Sequence, residues 1–168
     1  EYYENIIDTI ISIGQAPSVI VAISTVIKRL AVDHLHIVGD IFDRGPRADI
    51  VMDSLMSHHS VDIQWGNHDI LWMGAACGSR TLVATVLANS LHYNNLEVVE
   101  TGYGISLRPL SIFANEVYKD SNTARFKVKF SGEDAERVSE KDKLLSARMH
   151  KAITIILFKL EGQKLIRR

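Results

Sequence analysis

Apolar positions recur at helical spacing through the first thirty residues. Ile6, Ile10 and Ile13 fall on one helical face, and Gly14 follows them as a stop signal. A second apolar stripe runs over residues 17–30 and begins at a proline, which suits a first helical turn. The β-branched residues of this stripe keep a strand open as an alternative. The spacing favours two helices.

Two short β-rich segments follow, and each ends in a glycine turn. They are Leu35 to Val38 and Val61 to Trp65, and Pro46 can open a helix between them. A strand–helix–strand unit of this length predicts parallel strands joined by a right-handed crossover. The predicted fold class is therefore α/β, with a small parallel sheet around residues 35–65 and predominantly helical surroundings.

The remainder of the chain is predicted to be mostly helical. We expect a helix over 71–91, a loop or extended stretch over 103–110, a helix over 110–118, a short strand over 125–130, a helix start at 131–134 and a final helix over 138–160. No repeat or linker pattern divides the chain. Residues 1–168 are thus predicted to form a single domain segment with a helical extension from about 91 to 168.

Polar side chains with catalytic potential follow both predicted strands. The segment Gly39-Asp40-Ile41-Phe42-Asp43-Arg44-Gly45 follows the first strand, and Gly66-Asn67-His68-Asp69 follows the second. The carboxyl ends of adjacent parallel strands lie at one edge of a sheet, where open α/β sheets bind ligands. The two motifs should therefore meet in space although they are distant in sequence.

Asp40 and Asn67 are the candidate metal ligands. Two divalent ions can acidify a bridging water and neutralise phosphoryl oxygens, which is a common route to phosphate ester hydrolysis. A carboxylate at a strand end, as in Asp40, suits a bridging position, and Asn67 offers a neutral carbonyl oxygen. Oxygen ligands favour Mg²⁺ or Mn²⁺, and added histidine ligands would shift the preference toward Mn, Fe or Zn.

His68, Asp43 and Arg44 are the candidate catalytic residues. His68 can donate a proton to the leaving alkoxide near neutral pH. Asp43 is the preferred carboxylate partner for His68, while the neighbouring Asp69 should point elsewhere. Arg44 carries a fork of donors that matches phosphate oxygens and can stabilise charge in the transition state.

Composition and charge exclude several other classes of function. The formal net charge of -1 gives no electrostatic reason to expect nucleic acid or an anionic membrane as a partner. The apolar stretch near the start is too short and too polar to span a membrane. The single cysteine, Cys77, is expected to be a small packing residue and suits a reducing, cytoplasmic compartment. At most one of His34 and His36 is expected to face the site.

The two motifs resemble the central signatures of the calcineurin-like metallophosphoesterases. The flanking sequence, from His36 to Arg47 and from Ser60 to Ala76, is similar to the class III fructose-1,6-bisphosphatases of Firmicute bacteria. The resemblance implies part of a metallophosphatase fold and hydrolysis of the 1-phosphate of fructose 1,6-bisphosphate by metal-activated water, in gluconeogenesis. It also implies Mn²⁺ as the usual metal and a sugar bisphosphate as the substrate.

The chain departs from that family in its metal ligands. The family begins its metal site with an Asp-x-His motif and uses later histidine ligands, one of them in a Gly-His pair. In this chain no Asp-x-His precedes Asp40, and neither of the later histidines, His92 and His150, follows a glycine. The chain is therefore expected to be an internal part of a longer enzyme, inactive or nearly so alone, with homo-oligomer formation possible. Two alternatives remain open: a metallophosphatase acting on a phosphoprotein or a dinucleoside polyphosphate, and a non-catalytic assembly fragment.

Overall fold

The computed structural model describes residues 1–130 and 138–167, which form a mostly helical arrangement around one small sheet. The elements in chain order are α1 (Tyr2–Ser12), α2 (Ala16–Ala31), β1 (Leu35–Ile37), α3 (Ala48–Met56), β2 (Val61–Ile63), α4 (Asn67–Ala76), α5 (Arg80–His92), a π-helical turn (Val98–Gly102), α6 (Arg108–Val117) and α7 (Glu140–Ile166). The predicted α/β character, with helices dominating, is confirmed. No helix of residues 1–130 and 138–167 is both long and apolar enough to cross a bilayer.

The sheet is the predicted parallel pair. Strand β1 lies beside β2, with Leu35 opposite Val61 and Ile37 opposite Ile63. Both strands alternate between half-buried apolar residues and exposed polar ones. Because the strands are parallel, the loops that follow them, which carry the two polar motifs, emerge at the same edge.

The apolar core lies among the helices after the sheet. Helices α5, α6 and α7 enclose it together with the π-helical turn. Its buried members are Ala84, Ala88, Leu91, Val99, Leu107, Ala114, Met149, Ala152 and Ile153. Several of these side chains are alanines, which allow the helix backbones to approach closely. Helices α1 and α2, in contrast, contain no buried residue.

Two predicted helix boundaries were wrong. The segment 71–91 was predicted as one helix, but α4 and α5 are separated at Gly78, whose φ of +86° is left-handed. Ser79 then caps α5, since its side chain accepts a hydrogen bond from the backbone N–H of Leu82. Helix α3 begins at Ala48 rather than near Pro46, because Arg47 has a left-handed φ of 59°.

Cys77 was expected to be a small packing residue, but it is exposed.

The predicted strand over residues 125–130 was also wrong. The backbone N–H of Phe126 donates to the carbonyl of Thr123 in a turn, and the N–H of Lys129 donates to the carbonyl of His92 at the end of α5. A strand needs a neighbouring strand for its hydrogen bonds, whereas this segment rests on a helix end. The helix start predicted at 131–134 lies outside the described residues.

Candidate active site

Asp69 joins the two motif loops. Its carboxylate is fully buried and accepts hydrogen bonds from the backbone N–H groups of Asp40 at 2.6 Å and Phe42 at 3.1 Å. It also accepts the N–H of Gly66 at 2.9 Å. Three charge-assisted hydrogen bonds account for the burial of this carboxylate. The loops after β1 and β2 are therefore held together by one side chain.

The backbone at this junction requires glycine at position 39. Gly39 has a φ of +94°, and a Cβ there would lie 2.5 Å from the backbone nitrogen of Gly66 and 2.7 Å from the carbonyl oxygen of Gln64. Asp40 itself has a left-handed φ of 55°, a conformation that aspartate tolerates better than most residues. The two loops can therefore approach closely because Gly39 and Asp40 adopt left-handed conformations. The hydrogen bonds that Asp69 accepts from the backbone N–H groups of both loops hold them there.

Asp40 and Asn67, the predicted metal ligands, lie at this edge. Both residues are exposed, and Asn67 is the first residue of α4. One oxygen of Asp40, Oδ1, accepts a hydrogen bond from the backbone N–H of His68 at 3.2 Å. Oδ2 of Asp40 and the side-chain oxygen of Asn67 are the remaining candidate oxygen donors, the first on the loop after β1 and the second at the start of α4.

These donors do not fit a complete divalent metal centre. Hard divalent cations take about six oxygen ligands, and a two-metal centre needs more protein donors than Asp40 and Asn67 supply. Over residues 1–130 and 138–167, no cluster of three or more His, Cys, Asp or Glu side chains is arranged to hold a metal ion. The described residues thus supply part of a metal site at most.

The side chains of His68, Asp43 and Arg44 lie together, and the pairing of His68 with Asp43 is the one that the sequence predicted. Nε2 of His68 lies 3.1 Å from Oδ1 of Asp43, and both side chains are largely shielded from solvent, at 22% and 29% exposure. Nε of Arg44 donates to both carboxylate oxygens of Asp43 at 3.1 Å. This hydrogen bond and the charge of Asp43 raise the pKa of the Arg44 guanidinium. Asp43 is thus shared between an imidazole and a guanidinium.

Aromatic contacts and one hydrogen bond attach the first motif to the helices around it. The ring of Phe42, between Asp40 and Asp43, stacks on Trp72 of α4 with ring centres 4.9 Å apart. On the other side, the amide of Asn95 donates to the carbonyl of Gly45 at 3.3 Å, which ties the loop to the end of α5. The guanidinium of Arg44 lies 5.0 Å from the ring centre of Tyr93.

Tyr93 and the bridging role of Asp69 were not predicted from the sequence. Asp69 was expected to point away from His68, and its position three residues after Gly66 is a capping signal that indicates a turn toward the backbone. Nothing in the sequence near Tyr93 indicates that its ring would lie beside the first motif.

His34 and His36 both contact Asp62, at 2.5 and 2.6 Å, and lower the pKa of that carboxyl.

Comparison with known proteins shows the family of the chain. It belongs to the Firmicute fructose-1,6-bisphosphatase family, whose model matches residues 1–168. It is 55% identical over 168 residues to a Clostridioides difficile protein named fructose-1,6-bisphosphatase class 3, covering 100% of this chain and 25% of that protein. Proteins of the same name from Clostridium tetani and Listeria monocytogenes are 58% and 56% identical over 167 residues, again covering 99% of this chain and 25% of each relative.

These comparisons confirm the resemblance to the class III family. The chain spans about a quarter of the length of the curated relatives that it matches. No solved structure matches it.

Proposed function

We propose that the polypeptide carrying this chain hydrolyses the 1-phosphate of fructose 1,6-bisphosphate to give fructose 6-phosphate. The observation that carries the proposal is the contact of His68, Asp43 and Arg44 at the junction organised by Asp69. Membership of the Firmicute fructose-1,6-bisphosphatase family supports the choice of substrate. The proposal extends to a metallophosphatase fold of which residues 1–168 form one segment, with the helices after residue 91 as an extension.

The proton needed by the leaving alkoxide comes from His68. Its Nε2 lies against Asp43, which holds the ring in place, and the other ring nitrogen, Nδ1, is the one proposed to donate the proton. General acid catalysis of this kind contributes about 10²–10⁴-fold to rate. Arg44 contacts Asp43 through Nε, and its outer nitrogens bind phosphate oxygens and stabilise their charge in the transition state.

Asp40 and Asn67 are proposed as two ligands of a Mn²⁺ pair. Asp40 follows β1 and Asn67 begins α4, in two segments that Asp69 holds together, and their oxygen donors suit Mn²⁺. Further ligands are proposed to come from outside this chain. A cytoplasmic location is part of the same proposal, since the proposed substrate is a soluble metabolite, and homo-oligomer formation is proposed with it.

A phosphate-release assay with Mn²⁺ tests the proposal. The polypeptide at the length of its relatives should hydrolyse fructose 1,6-bisphosphate in preference to a phosphopeptide or a dinucleoside polyphosphate, and residues 1–168 alone should show little turnover. His68→Asn should lower kcat about 100-fold or more, whereas His59→Asn, which changes an exposed histidine at the end of α3, should not. Preference for either alternative substrate would overturn the assignment. Equal turnover by the short chain would overturn the missing-ligand argument.

A further inference from the structure

We propose that Tyr93 and Lys129 form a second phosphate subsite, which binds the non-reacting phosphate of a sugar bisphosphate. Two cationic groups surround the Tyr93 ring: Lys129 Nζ lies 4.9 Å from its centre and Arg44 Cζ lies 5.0 Å from it. The two positive groups are therefore within about 10 Å of each other. This inference rests on the proposed function, because only a bisphosphate has a second phosphate to bind.

The subsite is connected to the proton-donating pair. Tyr93, Asp43 and His68 line one cleft, together with the amide side chains of Asn89 and Asn95. The interior of the cleft has room for about one water molecule, at 10 Å³, so a sugar must lie across its mouth. Arg44 and Lys129 do not line the cleft; both are exposed and reach it through their contacts with the ring of Tyr93. The amides offer hydrogen-bond partners for sugar hydroxyls.

Lys129 supplies the second positive charge of this arrangement. The charge of Arg44 is partly neutralised by Asp43, to which its Nε donates at 3.1 Å. Lys129 is placed by its backbone, whose N–H donates to the carbonyl of His92 at 2.7 Å. This hydrogen bond attaches an otherwise irregular segment to the residue beside Tyr93. Tyr93 supplies the surface over which both cations are held.

A purely structural role is the competing explanation. Tyr93 follows the last residue of α5, and cations near a helix C-terminus interact favourably with the helix dipole. Under that explanation, removing the charge of Lys129 lowers thermal stability and leaves substrate binding unchanged. The second-phosphate explanation predicts a loss of binding that depends on the second phosphate of the substrate.

The inference is tested by steady-state kinetics on a polypeptide as long as the relatives. The two substrates compared are fructose 1,6-bisphosphate and fructose 1-phosphate. Lys129→Gln should raise KM for the bisphosphate about tenfold, the effect of losing one charge-assisted contact of about 1.4 kcal/mol. KM for the monophosphate should change less than twofold. Tyr93→Leu should raise KM for the bisphosphate in the same selective way. The matched control is Lys127→Gln, which removes an exposed lysine two residues away and should leave both KM values unchanged.

Three results would count against the subsite. Equal changes of KM for both substrates would show a general effect on the site, and unchanged KM values in Lys129→Gln would favour the structural explanation. Hydrolysis of neither sugar phosphate by the unmodified polypeptide would overturn the proposed function itself, and this subsite with it. Either of the first two results would overturn the subsite alone.

Discussion

The helices before the small sheet and the helices after it lie in opposite surroundings. Helices α5, α6 and α7 share a buried core, in which Leu91 is 1% exposed. Helices α1 and α2 bury no residue, and Leu30 is 80% exposed. Helical spacing of apolar residues therefore predicts a helix and its apolar face, but it does not identify the element that covers that face.

The sheet edge that carries the two motifs differs from both helical regions in what holds it together. Its loops are joined by hydrogen bonds to the buried Asp69 carboxylate rather than by apolar packing alone. This junction contacts neither α1 nor α2 through those bonds. The geometry of His68, Asp43 and Arg44 should consequently depend on Asp69 and remain insensitive to changes in the exposed stripes.

Truncation of one leucine in each helical region should give the largest difference in stability. Leu91→Ala should lower the free energy of unfolding of the chain by about 4 kcal/mol, because it removes a fully buried side chain and leaves a cavity. Leu30→Ala should change it by less than about 0.5 kcal/mol. Urea denaturation of both variants measures the difference. Equal losses would show that α2 packs as tightly as α5, which would abolish the contrast.

Removal of the Asp69 charge should have the next largest effect. Asp69→Asn keeps the shape but places an amide donor against backbone N–H donors, which should cost about 2–3 kcal/mol. Hydrogen exchange should accelerate at the amides of Asp40, Phe42 and Gly66, the three donors to this side chain. Asp120→Asn changes an exposed aspartate and is the matched control. Unchanged exchange at the three amides would show that Asp69 does not hold the loops.

The smallest effect is a pH dependence in the helical core. Burial lowers the pKa of His150, with a smaller contribution from the neighbouring His92, so the folded state favours the neutral imidazole. The contribution of His150 to stability is then fully present above its unfolded pKa of about 6.5 and is lost as pH falls through the lower pKa of the folded state.

Replacement of His150 tests this dependence. His150→Gln should flatten the decrease in stability between about pH 7 and pH 5, measured by urea denaturation at a series of pH values. His59→Gln, at an exposed position, should leave the curve unchanged. A wild-type chain that becomes more stable on acidification in this range would contradict the direction of the shift.

Much of the helical and strand structure could be predicted, because it depends on local pattern. The strand–helix–strand unit follows from two β-rich segments at crossover distance, and the parallel pairing of β1 with β2 confirms it. The break between α4 and α5 depends on the left-handed conformation of Gly78, which spacing does not reveal. The predicted strand over 125–130 failed because strand formation depends on a partner that local sequence cannot supply.

At the candidate site, the meeting of the two motifs could be predicted from topology alone. The contact of His68 with Asp43 followed from placing both at one sheet edge. The position of Tyr93 beside Arg44 could not be predicted, since it depends on how the residues after α5 pack against the first loop through Asn95 and Gly45. Long-range packing of this kind is not recorded in the spacing of residues.

The central claim is that this chain contributes the proton donor and the phosphate-binding residue of a phosphatase site but only some of its metal ligands. Isothermal titration of Mn²⁺ into residues 1–168 and into the polypeptide at the length of its relatives tests this claim most directly. The longer polypeptide should bind two ions, with Asp40→Ala and Asn67→Ala weakening the binding, while the 168-residue chain should bind less than one ion at the same concentrations. Tight binding of two ions by residues 1–168 would contradict the claim.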